Sequence, residues 1–178
     1  RSTLFPYTTL FRSASKVPVK GGRTLQVLGT PVEMLCFAPD GKSFFYHDRK
    51  GYEDEWRKHH TSSITRDIWY YDAQTGQHTN ITDRPGEDRN PVVSADGKTL
   101  YYLSEDKGGS MNVYSCQWQG IKATSPKPPI SMRNVTSFET HPVRFLSIAK
   151  NGLLCYTYNG EIYTQKSGAQ PQKLNITL

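Results

Sequence analysis

The chain has 178 residues, of which 22 are Lys or Arg and 16 are Asp or Glu, so its formal net charge is +6. Only 35% of the residues are hydrophobic, and no apolar run approaches the roughly 18 residues that a membrane-spanning helix requires. Fourteen Gly and eleven Pro without a period exclude collagen, and three Cys without a CxxC pair exclude a disulfide framework and a Cys-rich zinc module.

The first segment in chain order, residues 1–13, has the sequence expected of a translated sequencing adapter. A common library adapter reads TLFPYTTLFRS in frame, which matches residues 3–13 throughout, and the alternative is a short genuine β-segment. We exclude such scars from fold reasoning and expect the natural N-terminus to be missing. Without Arg1 and Arg12 the excess of basic residues falls from six to four, which is typical of a solvated surface rather than of a nucleic-acid-binding face.

The remainder contains a threefold internal repeat. The segments FAPDGK at 37–42, VSADGK at 93–98 and the degenerate SIAKNG at 147–152 each precede a β-prone run, and their glycines are 56 and 55 residues apart. Asp-Gly or Asn-Gly between two such runs is a strong hairpin signal. We therefore expect Asp40 and Asp96 to cap turn backbone rather than to act in catalysis.

A second hairpin follows the first in each unit, which gives four strands per repeat. Four antiparallel strands repeated around an axis are typical of a β-propeller, which has 4–8 blades. The sequence predicts an all-β fold, a partial propeller of about three four-stranded blades in an incomplete ring. The predicted divisions are 14–32 for the end of a preceding blade, 33–84 for a blade with a long insertion at 49–66, and 85–132 and 133–178 for two further blades.

The insertion at 49–66 is the best candidate binding region, because long propeller loops line one face of the ring or the channel mouth. Its basic residues Arg57, Lys58 and Arg66 could hold a carboxylate. The alternative is that the acidic run 53–55 neutralises them in surface pairs that contribute little. The neighbouring histidines at 59–60 point apart on any regular element, so we expect no metal there, and the chain suggests no cofactor.

A family resemblance arises from this insertion and its continuation. The run YEDEWRKHHTSSITRDIW at 52–69, followed by TDRPGEDRNPVVSADGK at 82–98, resembles the corresponding stretch of bacterial relatives of tricorn protease. The similarity is dense over 37–118 and weaker over 133–178. The DGK repeat is shared with TolB and many propellers, whereas WRKHHTSS is far more specific.

The resemblance implies a large multidomain serine peptidase, of which this chain would be part of the first propeller. Its PDZ-like module and its catalytic domain would lie beyond this chain, so no catalytic residue is assigned here. In that family the propellers filter peptides, and basic residues anchor a peptide's C-terminus, a role for which Arg57, Lys58 and Arg66 are the candidates. The implied partners are peptide substrates, the remaining blades and domains, and further copies of the parent; neither nucleic acid nor membrane is expected.

Two alternatives stay open. One is a TolB-like or other propeller scaffold without an attached enzyme; the other is the propeller of a prolyl-oligopeptidase-type enzyme, with a GxSxG elbow further along the gene. The expected compartment is the cytoplasm, with the periplasm as the alternative.

Overall fold

The computed structural model describes residues 14–52, 54, 56–58, 62–106, 109–121 and 131–176. The regular elements in these ranges are β-strands, in agreement with the predicted all-β class. None of these ranges contains a helix with the length and apolar character needed to cross a bilayer. The adapter-like segment 1–13 lies outside the described residues.

Fourteen strands are present in the described part of the chain. They are β1 (Ser15–Lys16), β2 (Leu25–Gln26), β3 (Val32–Phe37), β4 (Phe44–Asp48), β5 (Ile68–Tyr71), β6 (His78–Asn80), β7 (Asp88–Val93), β8 (Thr99–Ser104), β9 (Asn112–Gln117), β10 (Arg133–Asn134), β11 (Arg144–Ile148), β12 (Leu154–Tyr158), β13 (Glu161–Gln165) and β14 (Gln172–Lys173).

The strands form three antiparallel sheets of four strands each, and β1 pairs separately with β2. The first sheet has the order β3-β4-β5-β6, the second β7-β8-β9-β10 and the third β11-β12-β13-β14. Each strand therefore pairs with its neighbour in sequence. This meander is the blade pattern that the repeat predicts.

The turns between the first two strands of a sheet carry the repeated motif. Asp40 Oδ1 accepts a hydrogen bond of 2.9 Å from the backbone N–H of Lys42, and Asp96 Oδ1 accepts one of 3.1 Å from that of Lys98. The glycine after each aspartate has a φ of 66° or 70°, a conformation that lacks a steric penalty only for glycine. The prediction that these aspartates cap turns is confirmed.

Packing between the sheets is clearest at β8, which is buried on both faces. Leu100 and Tyr102 pack toward the first sheet, whereas Tyr101 and Leu103 pack toward the third. The first interface also contains Ala38, Phe45, Ile68, Ile81, Tyr114 and Cys116. The second also contains Met111, Val113, Val143, Leu146, Leu154 and Tyr156. Since side chains alternate along a strand, one central strand supplies both interfaces.

The two outer sheets have faces that no other complete sheet covers among the described residues. On the first sheet, Phe44 and Tyr46 pack under Leu28 of the preceding segment. Phe37 nevertheless stays 60% exposed on β3. Repeat units bury their cores against neighbours, so these open faces fit a partial propeller.

The sheet to which β10 belongs differs from the predicted division of the chain into blades. The sequence placed position 133 at the start of the third blade, whereas Arg133 and Asn134 pair with Ser115 and Tyr114 of β9 as the outer strand of the second sheet. The backbone N–H of Val135 continues this pairing with a 2.8 Å bond to the carbonyl of Val113. A segment after a long connection thus completes the sheet that precedes it.

The turns also touch across sheets, which gives a test of blade packing. A Cβ at Gly97 would overlap the ring of Pro39 in the first sheet's turn, while a Cβ at Gly41 would meet nothing within 4 Å. We expect Gly41→Ala to cost about 1–2 kcal/mol through the left-handed backbone alone. Gly97→Ala should cost about 1–3 kcal/mol more through overpacking. Equilibrium urea unfolding checks this, and equal losses in the two variants would contradict it.

Candidate functional site

The first strands of the three sheets lie side by side, β3 next to β7 and β7 next to β11, so these three strands face a common axis. Each departs from regular pairing at one point. The register shifts between Glu33 and Cys36, between Arg89 and Val92, and between Arg144 and Ser147. Such β-bulges re-aim side chains and are enriched near functional sites.

Each bulge contains one residue in the left-handed region. Met34, Asn90 and Phe145 have φ values of 48°, 54° and 55°. They recur at the same 56- and 55-residue spacing as the turn glycines, so they are one position of the repeat. This conformation costs about 1–2 kcal/mol for residues other than glycine, and it is more readily adopted by Asn than by Met or Phe.

These three residues line one cavity of about 280 Å³ on the axial surface. The other lining residues are Val32, Glu33, His47, Arg66, Arg89 and Leu103. We call this space the axial cavity. It combines apolar walls with charged groups that are drawn from all three sheets and from the end of the insertion.

Asn90 joins the three sheets at the axial cavity. Its backbone N–H donates a 3.0 Å hydrogen bond to His47 Nδ1 in the first sheet, and its Nδ2 donates one of 2.9 Å to the carbonyl of Leu146 in the third. Burial lowers the pKa of His47, so the imidazole is neutral at pH 7. Because Nδ1 accepts, the ring proton is on Nε2, which faces Glu33 Oε2 at 3.4 Å.

Glu33 is ionised at neutral pH. The hydrogen bond from His47 lowers its pKa to about 2 against the effect of burial, with a further contribution from the guanidinium of Arg49. Arg49 Nη1 donates to Glu33 Oε1. The axial cavity therefore contains a fixed negative charge.

A buried cluster of ion pairs adjoins the axial cavity; it consists of Arg57, Arg66, Glu87 and Glu105. Glu87 is 1% exposed and accepts hydrogen bonds from Arg57 Nη2 and Arg66 Nη1. Both oxygens of Glu105 accept from Arg57, at 2.6 and 2.8 Å. We call this set the Glu87 cluster. The Arg57–Glu105 pair has the bidentate geometry that makes such bonds strong.

The ionisation of the Glu87 cluster follows from these contacts. Burial alone would raise the pKa of Glu87, but the charges of Arg89 and Arg66 and the hydrogen bonds with Arg66 and Arg57 lower it. Burial would likewise lower the pKa of Arg57, but its hydrogen bonds to Glu105 and Glu87 raise it. Arg57 and Glu87 are therefore charged at neutral pH.

The structure separates the three predicted anchoring residues. Arg57 and Arg66 are held inside the Glu87 cluster, with side chains 9% and 5% exposed. Lys58 is exposed, and its Nζ lies 2.6 Å from His141 Nδ1. Asp54 of the acidic run is described, while positions 53 and 55 and the histidines at 59–60 lie outside the described residues.

The insertion also reaches the third sheet. The ring of Trp56 lies 5.9 Å from that of Phe145, and the guanidinium of Arg144 lies 5.0 Å from the Trp56 ring centroid. Arg144 Nη2 also donates a 3.4 Å hydrogen bond to the carbonyl of Arg57. The segment 56–58, in the connection between β4 and β5 of the first sheet, thus contacts residues of the second sheet and of the third.

Sequence reasoning missed Glu33, Arg89 and the bulge residues as part of the site. A signal for them exists in the repeat: Glu33, Arg89 and Arg144 share one position, immediately before Met34, Asn90 and Phe145. A charged residue at one position of all three units, followed by a residue that lines the axis, is visible once the repeats are extended toward the N-terminus. Among the described residues, no group of three or more His, Cys, Asp or Glu side chains could hold a metal ion.

The fold is that of a partial β-propeller, and comparison with solved structures agrees. A putative TolB from Agrobacterium tumefaciens matches with a TM-score of 0.65 at 19% identity, over 90% of this chain and 55% of that protein. Prolyl oligopeptidase B from Galerina marginata, bound to a 35-residue hydrolysis and macrocyclization substrate, matches with a TM-score of 0.50 at 14% identity, over 85% of this chain and 22% of that one. The chain thus spans about half of the TolB structure.

Comparison of sequences gives one curated relative with a peptidase name. The chain is 31% identical over 111 residues to dipeptidyl-peptidase 5 of Porphyromonas endodontalis, which covers 57% of this chain and 16% of that protein. No protein-family model matches the chain. The propeller class is thus shared with TolB and with peptidases, and a peptidase context is suggested.

The buried position of Glu87 predicts a large effect of a minimal substitution. Glu87→Gln removes the charge that faces Arg57 and Arg66 while keeping the side-chain volume, and we expect a loss of about 3–5 kcal/mol in unfolding free energy. The matched control is Glu161→Gln, which breaks the half-exposed Lys173–Glu161 pair of 2.8 Å. Exposed pairs contribute little, so that variant should unfold like the parent. Equal stabilities of the two variants would refute a structural role for the cluster.

The ionised Glu33 predicts a pH-dependent effect. Its pKa is lowered from 4.5 to about 2 on folding, so its contribution to stability is present above pH 4.5 and is lost as the pH falls toward 2. The loss of unfolding free energy in Glu33→Gln should therefore be largest at pH 6 and shrink by pH 3. Asp88, whose pKa burial raises to about 6, has the opposite pH dependence and cancels in this difference. A loss that is constant from pH 6 to pH 3 would contradict the assignment.

Proposed function

We propose that the chain is a non-catalytic propeller segment of a peptide-hydrolysing enzyme, in which it positions peptides at the channel. The observation that carries this proposal is the 31% identity to a dipeptidyl-peptidase over 111 residues. The insertion supports it as well, because it holds the exposed Lys58 close to the buried ion pairs of the Glu87 cluster beside the axis.

Within this proposal the parent is a serine peptidase of the tricorn type. The WRKHHTSS run and the segment at 82–98 support that finer assignment. Hydrolysis would then proceed by attack of a serine hydroxyl on the scissile carbonyl, with an oxyanion hole in a catalytic domain beyond this chain. The PDZ-like module, the remaining blades and further copies of the parent would be its partners, and the cytoplasm its compartment.

The geometry gives the three basic residues different parts in peptide binding. The Glu87 cluster fixes Arg57 and Arg66, so these residues act as the support that orients the insertion. Lys58 follows directly, and its ammonium is exposed next to His141. A peptide carboxylate that replaces or joins His141 at this ammonium would form a charge-assisted hydrogen bond. We therefore assign the anchoring contact to Lys58 and the positioning of that residue to Arg57 and Arg66.

The second candidate function is a binding scaffold without an attached enzyme. It is favoured by the TolB structure, whose TM-score of 0.65 is higher than that of the prolyl oligopeptidase structure. The chain also covers a larger share of the TolB structure than of the prolyl oligopeptidase. In that case the same axial surface would bind a partner without hydrolysis.

The test uses the complete product of the gene from which the chain derives. Under the first proposal it hydrolyses unstructured peptides, while the purified 178-residue chain shows no turnover. Lys58→Gln should raise KM by about tenfold or more with kcat unchanged, because a lost charge-assisted hydrogen bond contributes about 1.5–3 kcal/mol to binding.

The matched control for this test is Lys173→Gln, which changes an exposed lysine on β14 and should leave KM unchanged. A complete gene product without peptidase activity would refute the enzyme and favour the scaffold. Turnover by the 178-residue chain alone would refute its non-catalytic role.

A further inference from the structure

We propose that His47 is a pH-sensitive switch between two sheets: its neutral imidazole holds the bulge of β7 against the first sheet, and protonation at Nδ1 releases that bulge. The inference goes beyond the proposed function, because it concerns a conformational response of the fold. It applies to a peptidase segment and to a binding scaffold alike.

The switch depends on one hydrogen bond from the backbone of the second sheet to a side chain of the first. His47 Nδ1 accepts this 3.0 Å bond from the backbone N–H of Asn90, and His47 is only 3% exposed. The N–H lies within the bulge, where the pairing of β7 with β8 is interrupted between Arg89 and Val92. A buried backbone N–H requires an acceptor, and here the imidazole supplies one at a point where the regular ladder is interrupted.

The polarity of this bond makes it sensitive to protonation. An imidazole nitrogen accepts a hydrogen bond only while it carries no proton, and both ring nitrogens are donors in the protonated form. In acid, Nδ1–H and the N–H of Asn90 would therefore point at each other across 3.0 Å. The two groups must then separate. Asn90 loses one of its two hydrogen bonds to neighbouring sheets and keeps the other, from its Nδ2 to the carbonyl of Leu146.

The charged groups around His47 act in opposite directions. Glu33 on β3 favours the protonated imidazole, whereas Arg66 before β5 and Arg89 on β7 disfavour it. Asp48, the next residue on β4, is a further acidic group near the ring. Burial has the largest effect and lowers the pKa of His47 below 6.5, so release occurs on the acid side of neutrality. The uncharged side chains that line the same cavity include Val32, Leu103 and Phe145.

Release changes the axial cavity, because His47 and Asn90 both line it. The Glu87 cluster stays in place at the same pH, since the pKa of Glu87 is lowered and its bonds to Arg57 and Arg66 persist. The response is therefore local. The left-handed backbone of Asn90 loses a contact that holds it, and the bulge relaxes while the first and second sheets remain joined.

The experiment measures amide hydrogen exchange by NMR in the 178-residue chain at pH 7.0 and pH 5.0. We expect the protection factor of the Asn90 amide to fall about tenfold on acidification, because a histidine whose pKa is lowered by its surroundings favours the released form in acid. The amide of Tyr102 in β8 should remain better protected than that of Asn90 at both pH values, which distinguishes local release from unfolding of the whole chain.

A substitution of the imidazole separates its charge from its hydrogen bond. His47→Asn keeps an acceptor at the position of Nδ1 but does not titrate, so the protection factor of Asn90 should change by less than about twofold over this range. The matched control is His78→Asn, because His78 Nδ1 also forms a hydrogen bond, of 2.7 Å with Tyr46 Oη, but within the first sheet. That control should keep the tenfold response.

Asp88 is two residues from Asn90, and burial raises its pKa to about 6, so it titrates in the same range. It is present in all three chains and cannot account for a difference between them. An acid response in the His47→Asn chain equal to that of the parent would therefore overturn the inference, as would its loss in the His78→Asn chain.

The unmodified chain decides the question even if His47→Asn does not fold. At pH 7.0 we expect a nitrogen–nitrogen coupling across the hydrogen bond between the Asn90 amide and His47 Nδ1, and we expect it to disappear as the imidazole becomes protonated. A missing coupling at pH 7.0, or an Asn90 protection factor that is constant from pH 7.0 to 5.0, would overturn the switch. Neither result bears on peptide hydrolysis or on the contact assigned to Lys58.

Discussion

The carboxylate of Glu87 is the interaction on which the organisation of the axial surface depends. It is almost completely buried, and it accepts hydrogen bonds from two arginines, Arg57 in the middle of the insertion and Arg66 at its end. A buried carboxylate without partners would be neutralised by protonation, and buried arginines without a carboxylate would be strongly destabilising. Each charge therefore requires the others, and together they hold Arg57 and Arg66 of the insertion against the second sheet.

The strained bulges depend on this arrangement in turn. Asn90 adopts its left-handed conformation while its backbone and side chain bond to the first and third sheets. The adjacent residue Arg89 contributes to the low pKa of Glu87. Backbone strain persists only where surrounding contacts over-determine the conformation. Here the contacts come from neighbouring blades, so the local geometry of one strand is set by residues 43 and 56 positions away in sequence.

Local sequence signals were sufficient to predict the hairpin turns, but they were insufficient to predict which side chains meet at the candidate site. Asp40-Gly41 and Asp96-Gly97 identify their turns because the required φ and the side-chain cap are properties of neighbouring residues. The partners of Arg57 are Glu87 and Glu105, which belong to the next repeat, and no local pattern links them to the insertion. For the same reason the sequence indicated that Arg57 and Arg66 could contact a ligand but gave no sign of their burial. The strand β10 was misplaced because the long connection before it hides which sheet it joins.

The two ends of the sheets are held together by different forces. At one end the first and second sheets meet where the ring of Pro39 lies against Gly97, an apolar contact without a titratable group. At the other end the insertion is held by carboxylates and guanidinium groups. Acid that protonates the buried Glu87 therefore removes the partner of two arginines at the insertion end, whereas at the turn end it weakens only the caps that Asp40 and Asp96 place on exposed backbone. The same loss of a carboxylate charge thus costs far more at one end of the blades than at the other.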